Sequence, residues 1–343
     1  LFVLGRNDMD TRELFQQVNP EFLRSLREGK APEGDLKTIT DKVNYNLIVV
    51  DELPNCVPAV RAQLFNLFDG FIEVNGMPYP IGKGYSVGIA TGNIGQQFTE
   101  SSNELGRAIK DRMHVIVDTD YFFPTSGDTL EVLASDTNPR VDFARNPEDE
   151  SERIIKEYQS LVSEPVPLEK IIIANYLLHG LDFCNNGQSK RKMKDQWPNQ
   201  IQNHGRGSDE ALVFPVSTRA AKSIIRLSQS LDRVAGNKGI SQEKIDESYF
   251  DSMMQACKLV SSYSGVLNEA MVREHYGGDK YKAMDAIIAS TQTQYDAQKE
   301  NVAAGLEMAY NGKTNKKVLD LFKDRWHFMR NMLERLSEQN KPK

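Results

Sequence analysis

The chain has 343 residues, of which 39% are hydrophobic and 26% charged, as is ordinary for a globular protein. Its net charge of −6 argues against a general affinity for nucleic acid or for an anionic membrane. No apolar run approaches the roughly 20 residues of a membrane-spanning helix. The three cysteines are far apart and odd in number. They indicate neither a disulfide framework nor a Cys-x-x-Cys metal site, and we expect a cytoplasmic location.

The first part of the chain alternates strand-like and helix-like segments. Apolar residues at spacings of three and four predict a helix from Val57 to Phe68, with Pro58 in its first turn. The segment 71–79 predicts a hairpin that turns at Asn75-Gly76. Alternation of this kind is typical of a parallel α/β sheet. The predicted strands cover residues 1–4, 47–51, 85–91 and 115–118.

Two carboxylates end the central strand of this pattern. Leu47 to Val50 are four consecutive apolar residues, three of them β-branched, which predicts a strand buried on both faces. Asp51 and Glu52 follow directly, at the strand end where open α/β sheets bind ligands. An Asp there can hold Mg²⁺, and a neighbouring Glu can orient and deprotonate a water. This is the Walker B arrangement of a P-loop NTPase.

From about Asp149 onward the periodicity is almost entirely helical. One predicted helix covers 168–183, and another begins after a cap at Ser217. The polar stretch 185–210 carries a cluster of basic residues from Lys190 to Lys194, and we expect these charges to keep a loop solvated. The domain boundaries predicted from these patterns are 1–130, 131–240 and 241–343.

Five segments of the sequence carry a common pattern: 47–52, 60–68, 72–76, 89–93 and 108–113. In their order and spacing they resemble an AAA+ ATPase of the MoxR type. That group has a hydrophobic-Asp-Glu Walker B and a helix bearing a β-hairpin insert. It also has an Ala-Thr-x-Asn sensor strand, an arginine-finger segment and a Ser-x-Arg start to the lid helix. The resemblance implies a parallel-sheet P-loop NTPase core, an α-helical lid and a C-terminal helical region. The segment that resembles the start of the lid helix is Ser217-Thr218-Arg219.

The resemblance also implies roles for particular residues. Asp51 would hold Mg²⁺ through water, and Glu52 would be the general base. Asn93 would hold the attacking water or the γ-phosphate of ATP, although a strand-end turn residue is the alternative.

Two arginines complete the site that the resemblance implies. Arg112 would act on a neighbouring subunit's nucleotide, with Arg107 as the second candidate. The alternative for Arg112 is a surface ion pair with Asp111 or Glu104. Arg219 would reach the phosphates from the lid, or else face solvent at its helix terminus.

One departure from the family pattern concerns the phosphate-binding loop, Gly-x-x-x-x-Gly-Lys-Ser/Thr. The triplet Gly312-Lys313-Thr314 has the wrong spacing from the preceding glycine, and we predict a loop between two helices there. Because the strand at 1–4 resembles the sheet's second strand, we expect the phosphate loop upstream of Leu1, in a core that is N-terminally truncated here. A degenerate module that does not bind nucleotide is the alternative.

The expected function is therefore an ATP hydrolase that remodels or matures a protein partner. The resemblance implies a homo-oligomeric ring, a hexamer, and a partner with a von Willebrand factor A-like domain. The alternative is a non-catalytic scaffold that binds a protein through its helical region. DNA translocation is less favoured, since the chain is acidic. For both protein remodelling and DNA translocation, the hairpin at 71–79 is the element that could touch a substrate.

Overall fold

A computed structural model describes residues 1–6, 15–31, 35–74, 77–93, 110–135, 150–184, 188–193 and 209–340. The chain divides into two compact units, Leu1–Met113 and His114–Lys343. Each unit has an apolar core of its own. The three predicted domains stay a prediction, but the core of the second unit draws residues from both sides of position 240.

The first unit is built on a parallel sheet, as the alternating pattern predicts. Three strands pair in the order β1-β4-β7, and both pairings are parallel. An antiparallel pair, β2-β3, and the predicted hairpin, β5-β6, complete its strands in the described ranges. The hairpin turn at Asn75-Gly76 lies outside the described residues. The strands are β1 (Phe2–Leu4), β2 (Gln16–Val18), β3 (Lys37–Ile39), β4 (Leu47–Asp51), β5 (Phe71–Val74), β6 (Met77–Pro80) and β7 (Val87–Ala90).

The two faces of β4 differ, and the prediction that both are buried is wrong. Ile48 and Val50 are fully buried, whereas Leu47 is 49% exposed. Side chains alternate between faces along a strand, so one face of the sheet packs on the core and the other carries exposed apolar groups. The continuous apolar run did not distinguish these cases, because run length alone carries no information on which helices cover the sheet.

Helix α2 (Pro58–Phe68) covers the buried face. Its proline is in the first turn, where the missing N–H costs no hydrogen bond. Val60, Leu64 and Leu67 are buried, as the spacing predicts. The unit also contains the amphipathic helix α1 (Pro20–Arg27), which Asn19 caps by accepting a hydrogen bond from the Glu21 N–H at 3.0 Å.

The second unit is helical in its described residues. Ser217 caps the long helix α8 by accepting from the Ala220 N–H at 3.0 Å, which confirms the predicted start. No helix in the described ranges is both long and apolar enough to span a bilayer. The helices are α3 (Ser126–Ala134), α4 (Ser151–Ser163), α5 (Leu168–Asn175), α6 (Lys190–Met193), α7 (Asp209–Leu212), α8 (Thr218–Asn237), α9 (Gln242–Glu247), α10 (Tyr249–Ser261), α11 (Glu269–Tyr276), α12 (Lys280–Tyr310), α13 (Lys316–Leu319) and α14 (Phe328–Gln339).

The strand predicted at 115–118 does not form. The backbone there is irregular, and Val115 and Val117 are exposed. The Tyr263 hydroxyl donates to Asp118 Oδ2 at 2.5 Å, which ties this segment to the helices of the second unit. A β-branched run supplies strand propensity, but tertiary contacts override it here.

The prediction that the basic residues at 190–194 are solvated is wrong for Lys190. It is 2% exposed, and its ammonium donates to the carbonyls of Asp209 and Val213 at 3.1 and 2.8 Å. Asp209 is itself buried and forms a two-pronged ion pair with Arg325, whose guanidinium also lies 3.5 Å from Glu210. We call these four residues (190, 209, 210 and 325) the buried ion cluster. Lys194 lies outside the described residues.

Candidate active site at the carboxyl edge of the sheet

Three chain segments meet where the parallel strands end. The Gly5 N–H, just after β1, donates to the carbonyl of Asp51 at 2.7 Å. The Thr91 N–H, just after β7, donates to the carbonyl of Val50 at 3.0 Å. The Leu53 N–H returns a bond to the carbonyl of Thr91, also at 3.0 Å. We call this meeting place, residue 5 with 51–55 and 91–93, the carboxyl edge.

The hydroxyl of Thr91 links both predicted carboxylate residues to β7. It donates a short hydrogen bond to Asp51 Oδ1 and accepts one from the Glu52 N–H at 3.2 Å. A hydroxyl can donate and accept at once, which suits Thr to this bridge. Because one oxygen of Asp51 is occupied by Thr91, its orientation is set, and the second oxygen can serve a further donor.

Glu52 has a left-handed backbone conformation, with φ 58° and ψ 41°. For a residue with a Cβ this conformation costs about 1 kcal/mol or more, and such strain tends to concentrate at functional sites. Two hydrogen bonds to Thr91, one from Glu52 and one from Leu53, enforce it. The Asn55 amide donates to Glu52 Oε2 at 2.8 Å, which fixes the side chain as well.

Two glycines allow the segments to approach this closely. A Cβ on Gly5 would lie 2.5 Å from the carbonyl oxygen of Glu52, and one on Gly92 would lie 2.3 Å from the ring of Pro54. Neither the backbone nor a proline ring can move at low energetic cost. Larger residues at these positions would therefore displace the carboxylates. Cys56 packs beside Gly5, and burial raises the pKa of its thiol, so it stays neutral at pH 7.

The predicted site residues divide between the two units. Asp51 and Glu52 lie at the carboxyl edge, and Asn93, two residues after Thr91, is exposed. Arg112 belongs to the same unit and pairs with Asp69 at 3.8 Å, which is neither of the partners considered from the sequence. Arg219 is exposed in the first turn of α8 in the second unit. Arg107 lies outside the described residues.

Two residues of this site received no role from the sequence. Thr91 lies within the sensor-like segment 89–93, in which the sequence predicted a role for Asn93 alone. Asn55 stands three residues after Glu52, the spacing of a turn in which a side chain can reach back, and that spacing was the available signal. Both contacts depend on the left-handed backbone conformation of Glu52. A glutamate in a sequence does not predict that conformation.

The arrangement can hold a divalent cation through water and can accept a proton. Its donor set is two adjacent carboxylates with hydroxyl and amide groups around them, the oxygen-rich chemistry that suits Mg²⁺. Among the described residues no group of three or more His, Cys, Asp or Glu side chains is placed to hold a metal ion. The triplet at 312–314 lies in the loop between α12 and α13, as predicted.

The overall fold has a known counterpart. The crystal structure of a candidate ATPase from Cytophaga hutchinsonii superposes with a TM-score of 0.51 at 14% sequence identity. The match covers 84% of this chain and 76% of that chain. The chain shares its fold with this protein. No family model and no curated protein sequence matches the chain. At this identity the likeness concerns the fold alone, and the function has to be argued from the carboxyl edge.

Proposed function

We propose that the chain is an AAA+ ATPase subunit of the MoxR type that couples ATP hydrolysis to the remodelling or maturation of a protein partner. The observation that carries the proposal is the pair Asp51 and Glu52, held by different partners at the carboxyl edge of a parallel sheet. The ATPase-like fold supports it. A nucleotide hydrolase needs one acidic group for the metal and one for the water, and here the two groups are oriented separately.

Each residue at the edge has one task in this proposal. Asp51, oriented by Thr91, would hold a water of Mg²⁺ with its second oxygen. Glu52 would accept the proton of the attacking water. Asn93, exposed at the end of the next strand, would hold that water or the γ-phosphate by hydrogen bonds. Magnesium, once bound with ATP, would neutralise charge on the phosphates.

The metal role of Asp51 is tested by the magnesium dependence of ATP turnover in the full-length protein. Asp51→Asn should raise the Mg²⁺ concentration for half-maximal turnover by about tenfold or more. Asp41→Asn is a matched control, because Asp41 is an exposed aspartate of the same unit away from the edge. An identical magnesium dependence in both variants would remove the metal role from Asp51.

The proposal includes a ring, a hexamer, in which Arg112 acts on the nucleotide of a neighbouring subunit. Arg112→Ala should lower turnover about 1,000-fold, whereas Asp69→Asn, which breaks the same ion pair, should not. Mixing the Arg112→Ala and Glu52→Gln variants should restore part of the activity, since one neighbour then supplies what the other lacks. Failure of the mixture to recover activity would argue against action between subunits. Arg219 would contact the phosphates from the lid.

A scaffold is the second candidate, favoured by the lack of a phosphate-loop motif in this sequence. It would keep the fold and bind a protein, such as one with a von Willebrand factor A-like domain, through the helical unit. Calorimetry of the full-length protein with Mg·ATP separates the two functions. Heat of binding that saturates favours the ATPase, and the absence of binding favours the scaffold.

A further inference from the structure

Asn55 holds Glu52 with both its side chain and its backbone. Its amide nitrogen Nδ2 donates to Glu52 Oε2 at 2.8 Å, and its backbone N–H donates to the carbonyl of Glu52 at 2.9 Å. The 3-10 turn Leu53–Asn55 brings the two residues together. Glu52 is therefore restrained at its backbone and at one carboxylate oxygen by a single residue.

We propose that Asn55 is a positioning residue that aims the Glu52 carboxylate at the attacking water. The inference rests on the proposed function, because it concerns the same site and the same reaction. Oε2 accepts the hydrogen bond from Asn55, and in this proposal Oε1 accepts a proton. That proton comes from water as the water oxygen bonds to the γ-phosphorus. The bond from the γ-phosphorus to the bridging oxygen breaks, and ADP leaves with its electron pair.

The chemistry of an amide suits this task. A free glutamate side chain has three rotatable bonds, and fixing it in advance removes an ordering cost from the reaction. A lysine or arginine partner would also fix it, but the positive charge would lower the basicity of the carboxylate much more strongly. Asn55 supplies orientation through a neutral amide, without placing a positive charge beside the carboxylate.

The carboxylates of Asp51 and Glu52 have separate supports, so their contributions can be separated by experiment. Thr91, just after β7, restrains the Asp51 side chain, and Asn55 on the following turn restrains that of Glu52. A change at Asn55 should therefore alter the proton-accepting step and leave the magnesium dependence of turnover unchanged. Asn55 is also exposed, so its substitution should not disturb the core.

The test uses ATP turnover and ATP affinity of the full-length protein with three variants. Asn55→Ala should lower kcat about tenfold at unchanged KM and magnesium dependence. Asn55→Asp keeps the shape but replaces the donating amide by a carboxylate, which only accepts hydrogen bonds, so it should lower kcat as well. Asn44→Ala, at an exposed asparagine of the same unit, should match the wild type.

The outcomes distinguish this inference from the proposed function. A kcat unchanged from the wild type in both Asn55 variants would overturn the role of Asn55 and leave the ATPase standing. A fall in thermal midpoint that accounts for the whole loss of kcat would also overturn it. Absence of turnover in the wild-type protein would overturn the proposed function, and the positioning role with it.

Discussion

The carboxyl edge and the buried ion cluster both gather charged side chains, but they satisfy them in opposite ways. In the cluster, Asp209 is almost fully buried and is neutralised by the guanidinium of Arg325. At the edge, Asp51 and Glu52 are partly exposed, and their hydrogen bonds come from the neutral groups of Thr91 and Asn55. Among the described residues these two adjacent carboxylates have neutral donors alone, and a pair of that kind attracts cations.

This difference distinguishes charges that are paired inside the chain from charges that can still accept a ligand. The buried ion cluster is closed, by which we mean that each of its charged groups is paired within the chain. Few of its hydrogen-bonding positions can therefore bind a ligand. The edge is open, strained at Glu52, and still able to accept donors. Charge alone would have pointed to the cluster, which is the more deeply buried group. The partners of the charges, rather than their burial, point to the edge.

The largest predicted difference comes from the same substitution made in both places. Asp209→Asn leaves Arg325 buried beside Glu210 as its remaining acidic neighbour, so the free energy of unfolding should fall by about 3 kcal/mol. Asp51→Asn relieves repulsion from Glu52 and should change it by about 1 kcal/mol or less. Urea unfolding of both variants measures this. Equal losses would mean that the edge is as closed as the cluster.

A pH series sharpens the same contrast at Lys190. Burial lowers its pKa to about 8 in the folded protein. The unfolded chain, with an ordinary lysine pKa, then binds more protons between pH 8 and 10, so this lysine makes the protein more stable as pH rises. Relative to Lys190→Met, the free energy of unfolding of the wild type should gain about 1 kcal/mol per pH unit in that range. A pH-independent difference would contradict the burial of a chargeable group.

The smallest predicted effect concerns backbone strain at Glu52. Glycine adopts the left-handed conformation freely, so Glu52→Gly should leave the free energy of unfolding unchanged or slightly higher. Ala62→Gly, at an exposed position inside α2 of the same unit, should lower it by about 1 kcal/mol. Thermal unfolding followed by circular dichroism compares the two variants. A loss at position 52 as large as that at 62 would mean that the conformation is not strained.

The parts of the edge that follow from local pattern were predictable from sequence. Apolar runs mark β4 and β7, and parallel strands share one carboxyl edge, so Asp51, Glu52 and Asn93 could be expected to lie together. The contacts of Thr91 and Asn55 were not predictable in this way. They require the register that pairs Val50 with Ala90, followed by a left-handed turn at a non-glycine residue.

Distant partners explain the predictions that were wrong. Lys190 belongs to a run of basic residues and would normally be solvated, but the carbonyls of Asp209 and Val213 satisfy it inside the second unit. Residues 115–118 have strand propensity, but Asp118 bonds to Tyr263, which is 145 positions away. Sequence periodicity reflects the local preference for helix or strand. It does not contain the contacts that distant residues make in the fold.

The most direct test of the ATPase proposal is phosphate release from Mg·ATP by the full-length protein and its Glu52→Gln variant. The glutamine has the size of the glutamate, and its side-chain oxygen can still accept the hydrogen bond from Asn55. It cannot take up a proton from water. We expect release to fall at least about 100-fold while bound ATP is retained on the variant. Glu21→Gln, at an exposed glutamate in the first turn of α1, should behave as wild type. Wild-type phosphate release by Glu52→Gln would contradict the proposal that the carboxyl edge hydrolyses ATP.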